Sequence, residues 1–376
     1  MCAPVLDLTL LDMLSLTRVL RLAAPALIVA VVAGACSSSS KSSSSSSTSG
    51  SSSTSAAPKV TGTLNGSGST FQAAYDQQAI SDFQSANSGA TVNYQPKGSG
   101  AGQTDLQNQV VDFAGSDVTV AAADLPKFKG GSILYFPIIA GPITVSYNLS
   151  GVSGLQLSGS TIAKIFARTI KTWNDKAIAD DNPGATLPGT AITVVHRSDA
   201  SGTTANFTSY LKKADASDWT LGSGKTVQWA SDTQAGNGNA GVAQIVKGKD
   251  GAIGYVDYSD AKAGGLVWAK IKNSAGTYVD ATLAGASAAV ASATVNADLT
   301  YDPINASGAD SYPITSPTYI ITYAKYADAG KATLLKAFLG FVLGTDGQAD
   351  ANKSNFAPLP ASLDQKAVAQ LSSITS

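Results

Sequence analysis

After an N-terminal serine-rich stretch, the chain alternates two kinds of segment. Short β-branched runs, such as residues 60–64, predict strands. They lead into stretches whose apolar residues recur about every four positions, as Phe71, Tyr75 and Ala79 do, which predicts amphipathic helices. Strands that alternate with helices indicate an α/β fold. Because residues 58–376 are too many for one compact core, we expect two lobes.

Three segments share one plan, in which a strand runs into a Gly/Ser/Thr turn that begins a helix. The turns cover residues 66–71, 98–102 and 196–203, and the first is expected to place Thr70 at the start of its helix. Such a turn brings together free backbone N–H groups, short hydroxyls and the positive end of a helix dipole. Helix capping alone explains a single turn of this kind, but three of them predict a binding site for a small anion. No GxxxxGK[ST] occurs, and the glycine clusters at residues 66–68 and 98–102 do not complete GxGxxG, so these turns are not nucleotide motifs.

The positions of the arginines indicate where this anion site lies. Arg168 and Arg197 are the only arginines beyond residue 57, and a guanidinium can grip an oxyanion through two parallel hydrogen bonds. Arg197 lies in the third turn, where Asp199 could orient it; a surface ion pair is the alternative. Asp117 follows a predicted strand and, taken alone, is either a site residue or a plain turn residue.

Composition excludes several other kinds of function. The formal net charge is −1 and no Lys/Arg run occurs, so nucleic-acid affinity has no evident source. The chain has no glutamate, one histidine (His196), and two cysteines, Cys2 and Cys36, that both precede the folded part. We therefore expect no metal site, no disulfide framework and no Cys-His nucleophile. A phosphatase or other hydrolase is a weaker alternative, because no GxSxG elbow follows a strand.

The N-terminus has the pattern of an export signal. Arg18 and Arg21 precede an apolar run, residues 22–33, that is too short to span a bilayer and ends in small residues. This predicts a secretory signal that begins at Met1 or at Met13.

The end of this signal resembles a lipobox. Residues 32–36, Val-Ala-Gly-Ala-Cys, are similar to the motif of bacterial lipoproteins, which implies a signal peptide over residues 1–36 and lipidation of Cys36. An ordinary cleavage site is the alternative. Residues 37–57 are nearly all serine and threonine and predict a flexible tether.

Taken together, the motifs resemble the PstS family, the substrate-binding subunits of high-affinity phosphate importers. The segments that carry the resemblance are Gly66–Phe71, Tyr94–Ser99, Val111–Asp117, Val194–Thr203, Phe207–Leu211, Gly251–Val256 and Tyr312–Ser316. Their order and spacing extend over essentially everything after the tether.

The resemblance implies a set of phosphate-binding residues and no catalytic residue, metal or cofactor. The set comprises Thr70, Phe71 through its backbone N–H, Ser99, Asp117, Arg197, Ser201, Gly202 and Thr203, with Asp199 orienting Arg197. His196 is a departure from the family pattern, and its role stays open.

The fold implied by the resemblance is the type II periplasmic-binding-protein fold, two α/β lobes joined by two crossing strands. The crossings are expected near Phe136–Tyr147 and Tyr312–Tyr323. Lobe 1 would comprise residues 58–142 plus 315–376, and lobe 2 residues 143–314.

The implied function is capture of inorganic phosphate and its delivery to the membrane permease subunits of an ABC importer. The protein would be a monomer on the extracytoplasmic face of the cell membrane, held by its lipid anchor. A binder of another oxyanion, sulfate or molybdate, is the main alternative. Asp117 argues against it, because a carboxylate can accept the proton that hydrogen phosphate carries but repels an anion without one.

Overall fold

Strands and helices alternate along residues 60–376, the part of the chain that the computed structural model describes. The strands of this part are β1 (Thr61–Gly68), β2 (Gly89–Pro96), β3 (Phe113–Ser116), β4 (Ile133–Asn148), β5 (Gln156–Leu157), β6 (Thr193–Arg197), β7 (Gln234–Gly236), β8 (Ala252–Asp257), β9 (Val267–Trp268), β10 (Lys270–Lys272), β11 (Tyr278–Val279) and β12 (Thr315–Tyr323). Its α-helices are α1 (Ala73–Ala86), α2 (Ser99–Gln107), α3 (Gly159–Phe166), α4 (Lys176–Asp181), α5 (Gly202–Ala214), α6 (Gly238–Gly248), α7 (Tyr258–Ala263), α8 (Leu283–Ala291), α9 (Ala329–Val342), α10 (Thr345–Lys353) and α11 (Ala361–Gln370). The predicted signal, the tether and Cys36 lie outside the described residues.

The large sheet has the strand order β2-β1-β3-β12-β4-β8-β6-β7, with β4 at its centre. This strand is 16 residues long, and it changes partner along its length. Up to Pro142 it pairs with β12, and from Ile143 onward it pairs with β8. We call β2, β1, β3, β12 and β4 up to Pro142 the first half-sheet, and β4 from Ile143 with β8, β6 and β7 the second half-sheet.

The first predicted crossing segment lies within β4, and the second contains β12. Parallel pairing of β1 with β2 and β3, and of β6 with β7 and β8, gives each half-sheet an α/β character. The predicted fold class is confirmed. The lobe boundaries at 142/143 and 314/315 stay a prediction.

Apolar faces of the helices pack on the half-sheets, and aromatic rings fill much of the core. In the first half-sheet, Phe113 of β3 contacts Phe338 of α9 at a ring-centroid distance of 5.8 Å. In the second, Phe207 of α5 stacks on Tyr255 of β8 at 4.4 Å. These contacts fix α5 and α9 on their strands and hold the strand ends in place. Among residues 60–376, no helix combines the length and the apolar character needed to cross a bilayer.

Glycine is required where β1 ends. Gly68 has φ +144°, and a Cβ at this position would lie 2.0 Å from the carbonyl oxygen of Gly115 in β3. Only a residue without a side chain allows this approach. The next residue, Ser69, then donates its backbone N–H to Gly115 O at 2.9 Å. The turn after β1 is thereby held against the end of β3, next to Asp117.

Candidate functional site

The three glycine-rich turns meet where the two half-sheets face each other. A Cβ on Gly202, the first residue of α5, would lie 2.5 Å from Ser99 Oγ and 2.6 Å from Asp117 Oδ2. Gly100 N donates to Ala200 O at 2.9 Å. The N-termini of α2 and α5 therefore point toward one another, and their free N–H groups and dipoles create a positive potential between them.

The first turn, residues 66–71, also lies at this site, but the helix that follows it begins later than expected. The sequence pattern put Thr70 at the start of the helix, whereas α1 begins at Ala73. Residues 69–72 form a turn in which Phe71 N donates to Ser69 Oγ at 3.0 Å. Thr70, the least buried residue of this turn, faces the second half-sheet, where Asn239 contacts its hydroxyl.

Asp117 is the carboxylate at the centre of this cluster, and it is 1% exposed. Its Oδ1 accepts from Ser69 Oγ at 2.5 Å and lies 3.0 Å from Thr318 Oγ1. Its Oδ2 lies 3.3 Å from Ser99 Oγ. Burial raises the pKa of Asp117 to about 6, although these hydroxyls and the charge of Arg197 act in the opposite direction. A buried carboxyl of this kind can serve as an acceptor for a proton that a ligand carries.

Arg197 ends β6 and is held by Asp199 in a two-point ion pair. The distances are 2.7 Å from Nε to Oδ1 and 2.5 Å from Nη2 to Oδ2. Asp199 also accepts from Gly238 N at 3.1 Å. Burial alone would raise the pKa of Asp199, but the hydrogen bonds and charge of Arg197 hold it below its ordinary value. The guanidinium is thus fixed on one edge, and its Nη1 lies 3.3 Å from Thr203 Oγ1.

The N-terminus of α5 supplies both a cap and donors. Ser201 Oγ accepts from Thr204 N at 3.1 Å, so this serine caps the helix that it precedes. The backbone N–H groups of Gly202 and Thr203 belong to the first turn, where no partner exists within the helix. Gly202 lies against Asp117, and the buried Thr203 contacts Arg197. These two N–H groups therefore lie beside the place where an anion between the half-sheets would bind.

Arg168 and His196 lie outside the cluster. Arg168 pairs with the exposed Asp232 at 3.0 Å and donates to Ile192 O. His196 stacks on Trp229 at 4.8 Å, and its ring nitrogens contact Arg197 O and Thr233 Oγ1. Burial lowers the pKa of His196. Its packing holds the chain beside Arg197, and its ring is directed toward Trp229 and Thr233 rather than toward Asp117.

Three residues of the cluster were not found from the sequence: Ser69, Thr318 and Asn239. Asn239 Nδ2 lies 3.2 Å from both Thr70 Oγ1 and Thr203 Oγ1. A signal for it exists, because residues 234–242 repeat the plan of strand, glycine turn and helix seen in the three recognised turns. Thr318 lies within the buried strand β12, where nothing local distinguishes it from a core threonine. Within residues 60–376, no group of three His, Cys or Asp side chains could hold a metal ion.

Comparison with known proteins agrees with this architecture. The profile of the PBP superfamily domain matches residues 53–346, which defines the chain as a binding protein of that superfamily. It is 39% identical over 308 residues to phosphate-binding protein PstS3 of Mycobacterium bovis (strain BCG), a match that covers 79% of this chain and 83% of the relative. It is 38% identical over 316 residues to phosphate-binding protein PstS of Pasteurella multocida, covering 82% and 89%. The chain therefore belongs to the PstS family of phosphate-binding proteins.

Solved structures show the same fold at lower sequence identity. A high-affinity periplasmic phosphate-binding protein, solved with phosphate bound, superposes with a TM-score of 0.69 at 23% identity, covering 82% of this chain and 94% of that one. A phosphate-binding protein from Stenotrophomonas maltophilia gives a TM-score of 0.66 at 20% identity, covering 82% and 94%. These relatives and structural neighbours are named as binding proteins, not as enzymes.

Proposed function

We propose that this protein captures inorganic phosphate between its two half-sheets, without chemically changing it, and delivers it to the membrane permease of an ABC importer. The observation that carries the proposal is the convergence of opposed helix N-termini, a fixed guanidinium and one buried carboxylate. Helix N-termini and arginine attract an anion. The residues proposed to contact it are Thr70, Phe71, Ser99, Asp117, Arg197, Ser201, Gly202 and Thr203, with Asp199 orienting Arg197.

The Asp117 carboxylate is the reason for proposing that the site prefers phosphate to sulfate. Asp117 repels a dianion, so its presence among donors needs a compensating interaction. Hydrogen phosphate supplies one, because its P–OH can donate to Asp117. Sulfate has no proton at neutral pH and would leave two acceptors facing each other in a buried site, and sites of this design can reject such an analogue by roughly 10⁴–10⁵-fold.

Phe71 takes part through its backbone. Its N–H donates to Ser69 Oγ at 3.0 Å, while Ser69 itself donates to Asp117. We propose that an incoming anion replaces Ser69 as the acceptor for Phe71 N. The ring of Phe71 packs on Phe356 at 5.4 Å and keeps this backbone segment in place.

The place of action follows from the N-terminal pattern. The proposed signal ending at Cys36 would export the chain and leave it as a lipid-anchored monomer, and the serine-rich tether would let the folded part reach a membrane permease. The proposed lobes are residues 58–142 plus 315–376, and residues 143–314. The change of partner along β4 between Pro142 and Ile143 supports the first of these boundaries.

Titration calorimetry at neutral pH, with phosphate and sulfate against wild type and Asp117→Asn, tests the proposal. Wild type should bind phosphate and reject sulfate. Asp117→Asn, which removes the charge and supplies a donor, should narrow the preference mainly by admitting sulfate. Asp180→Asn is a matched control, because Asp180 is an exposed carboxylate paired with Lys176. A wild type that prefers sulfate would identify the alternative oxyanion binder, and one that binds neither anion would refute the proposal.

A further inference from the structure

Asn239 lies where the two half-sheets meet, and it belongs to a turn that the predicted ligand set does not include. It stands in the first turn of α6 and is fully buried. The preceding residue, Gly238, has φ +68° and donates its N–H to Asp199 Oδ1. The same turn therefore holds the partner of Arg197 and presents the Asn239 amide to the cluster.

The orientation of the amide is set by its surroundings. Asn239 Oδ1 faces the backbone N–H of Asp257 at 3.4 Å, which requires an oxygen on that side. Nδ2 then points to the opposite side, where it lies 3.2 Å from Thr70 Oγ1 and 3.2 Å from Thr203 Oγ1. An amide nitrogen carries two hydrogens, one for each threonine.

The two threonine hydroxyls are thereby turned into donors. A hydroxyl has one hydrogen and two acceptor positions. Thr203 Oγ1 receives hydrogens from Asn239 Nδ2 and from Arg197 Nη1, so both acceptor positions are filled and its own hydrogen must point elsewhere. Thr70 Oγ1 receives one from Asn239, which likewise directs its hydrogen away from the amide.

We propose that Asn239 is a positioning residue for anion capture, which orients the hydroxyl hydrogens of Thr70 and Thr203 toward the anion. This inference rests on the proposed function. Thr70 follows β1 of the first half-sheet, whereas Asn239 and Thr203 follow strands of the second. The amide reaches both threonines only while the half-sheets are together, so it acts on the closed state and on the release of the anion.

The test uses Asn239→Ala, Thr203→Val and the double variant, titrated with inorganic phosphate. Asn239→Ala should weaken affinity about tenfold, the size expected for losing about one net hydrogen bond. The loss should appear as faster release, with the association rate within about twofold of wild type. In the Thr203→Val background the same change should lower affinity only about twofold to threefold, because one of the two hydroxyls that it orients is gone and only that of Thr70 remains.

Asn239→Asp gives a second, independent measurement. An aspartate keeps the shape but accepts hydrogens, so it would draw both hydroxyl hydrogens away from the anion and add a repelling charge. Affinity should fall by about a hundredfold or more, with the melting temperature of the ligand-free variant recorded to show that it folds. Lys262→Ala is the matched control, because Lys262 Nζ contacts Asn355 Oδ1 at 2.9 Å through an exposed hydrogen bond that touches neither threonine.

Two outcomes would overturn this inference while leaving the proposed function intact. One is an Asn239→Ala variant whose phosphate affinity is within twofold of that of wild type. The other is a double variant whose loss equals the product of the two single losses, since independent residues would give that result. If wild type itself fails to bind phosphate, the proposed function fails first and this inference falls with it.

Discussion

Replacing Asp117 by asparagine should stabilise the ligand-free protein at neutral pH. The folded protein raises the pKa of this carboxyl from its ordinary 3.8 to about 6, chiefly through burial. The folded state therefore holds a proton that the unfolded chain releases at lower pH. The stability that this protonated group contributes is fully present below about pH 4 and is lost as pH rises through about 6.

The magnitude follows from the size of the pKa change. A difference of about two pKa units corresponds to on the order of 3 kcal/mol at neutral pH. Asparagine carries no charge at any of these pH values, so it avoids this loss. It also fits the site, because its oxygen can accept from Ser69 and Thr318, and its amide can donate to Ser99 Oγ.

Urea denaturation in phosphate-free buffer, at one-unit steps from pH 4 to pH 8, measures the effect. The stability difference between Asp117→Asn and wild type should grow by on the order of 3 kcal/mol across this range and level off above about pH 7. Asp180→Asn again serves as the control, since Asp180 is an exposed carboxylate in an i,i+4 pair with Lys176. A difference that is constant with pH, or a variant less stable than wild type at pH 7, would refute the reasoning.

Three other predictions concern the anion, the closure and the anchor. Arg197→Ala should cost about 2–5 kcal/mol of phosphate binding by calorimetry, and Arg197→Lys should not restore it, because an ammonium cannot reproduce the planar fork; near-normal affinity in the alanine variant would remove Arg197 from the site. Phosphate should reduce the radius of gyration in solution scattering and raise the melting temperature; identical scattering curves would indicate a rigid, preformed pocket. Cys36→Ala should be released or left unprocessed while wild type partitions into detergent, and equal partitioning of both into the aqueous phase would contradict lipidation.

Part of the site could be predicted from local sequence patterns alone. The turns that lead into α2 and α5 were predictable, because glycine, serine and threonine between an apolar strand and an amphipathic helix leave few other local structures open. The start of α1 was less accessible. The turn over residues 69–72 is held by Ser69 against Gly115, a residue 46 positions later in the chain, and this delays the helix to Ala73.

The neighbours of Asp117 were the hardest part of the site to predict. Thr318 reaches the carboxylate because β12 pairs antiparallel with β3, in a register that places Tyr319 opposite Ser116. A register between strands about 200 residues apart has no local signal. Asn239 could have been found by extending the strand, glycine turn and helix pattern to a fourth segment, but its two threonine partners depend on how the half-sheets close.

The contacts across the site explain how such closure can be reversible. Asn206 Nδ2, on α5, donates to Asp117 O and to Ser316 Oγ, both at 2.8 Å, and Lys225 Nζ donates to Gln103 Oε1. Hydrogen bonds of this kind can be exchanged for bonds to water at a small net cost in free energy. Exposing buried apolar surface to water has no such compensation. A ligand favours one state only by the free energy with which it prefers that state. An anion bound as proposed, by Thr70 on one side and Arg197 on the other, would make its full set of contacts only in the closed arrangement, and its binding energy would then shift the population toward closure.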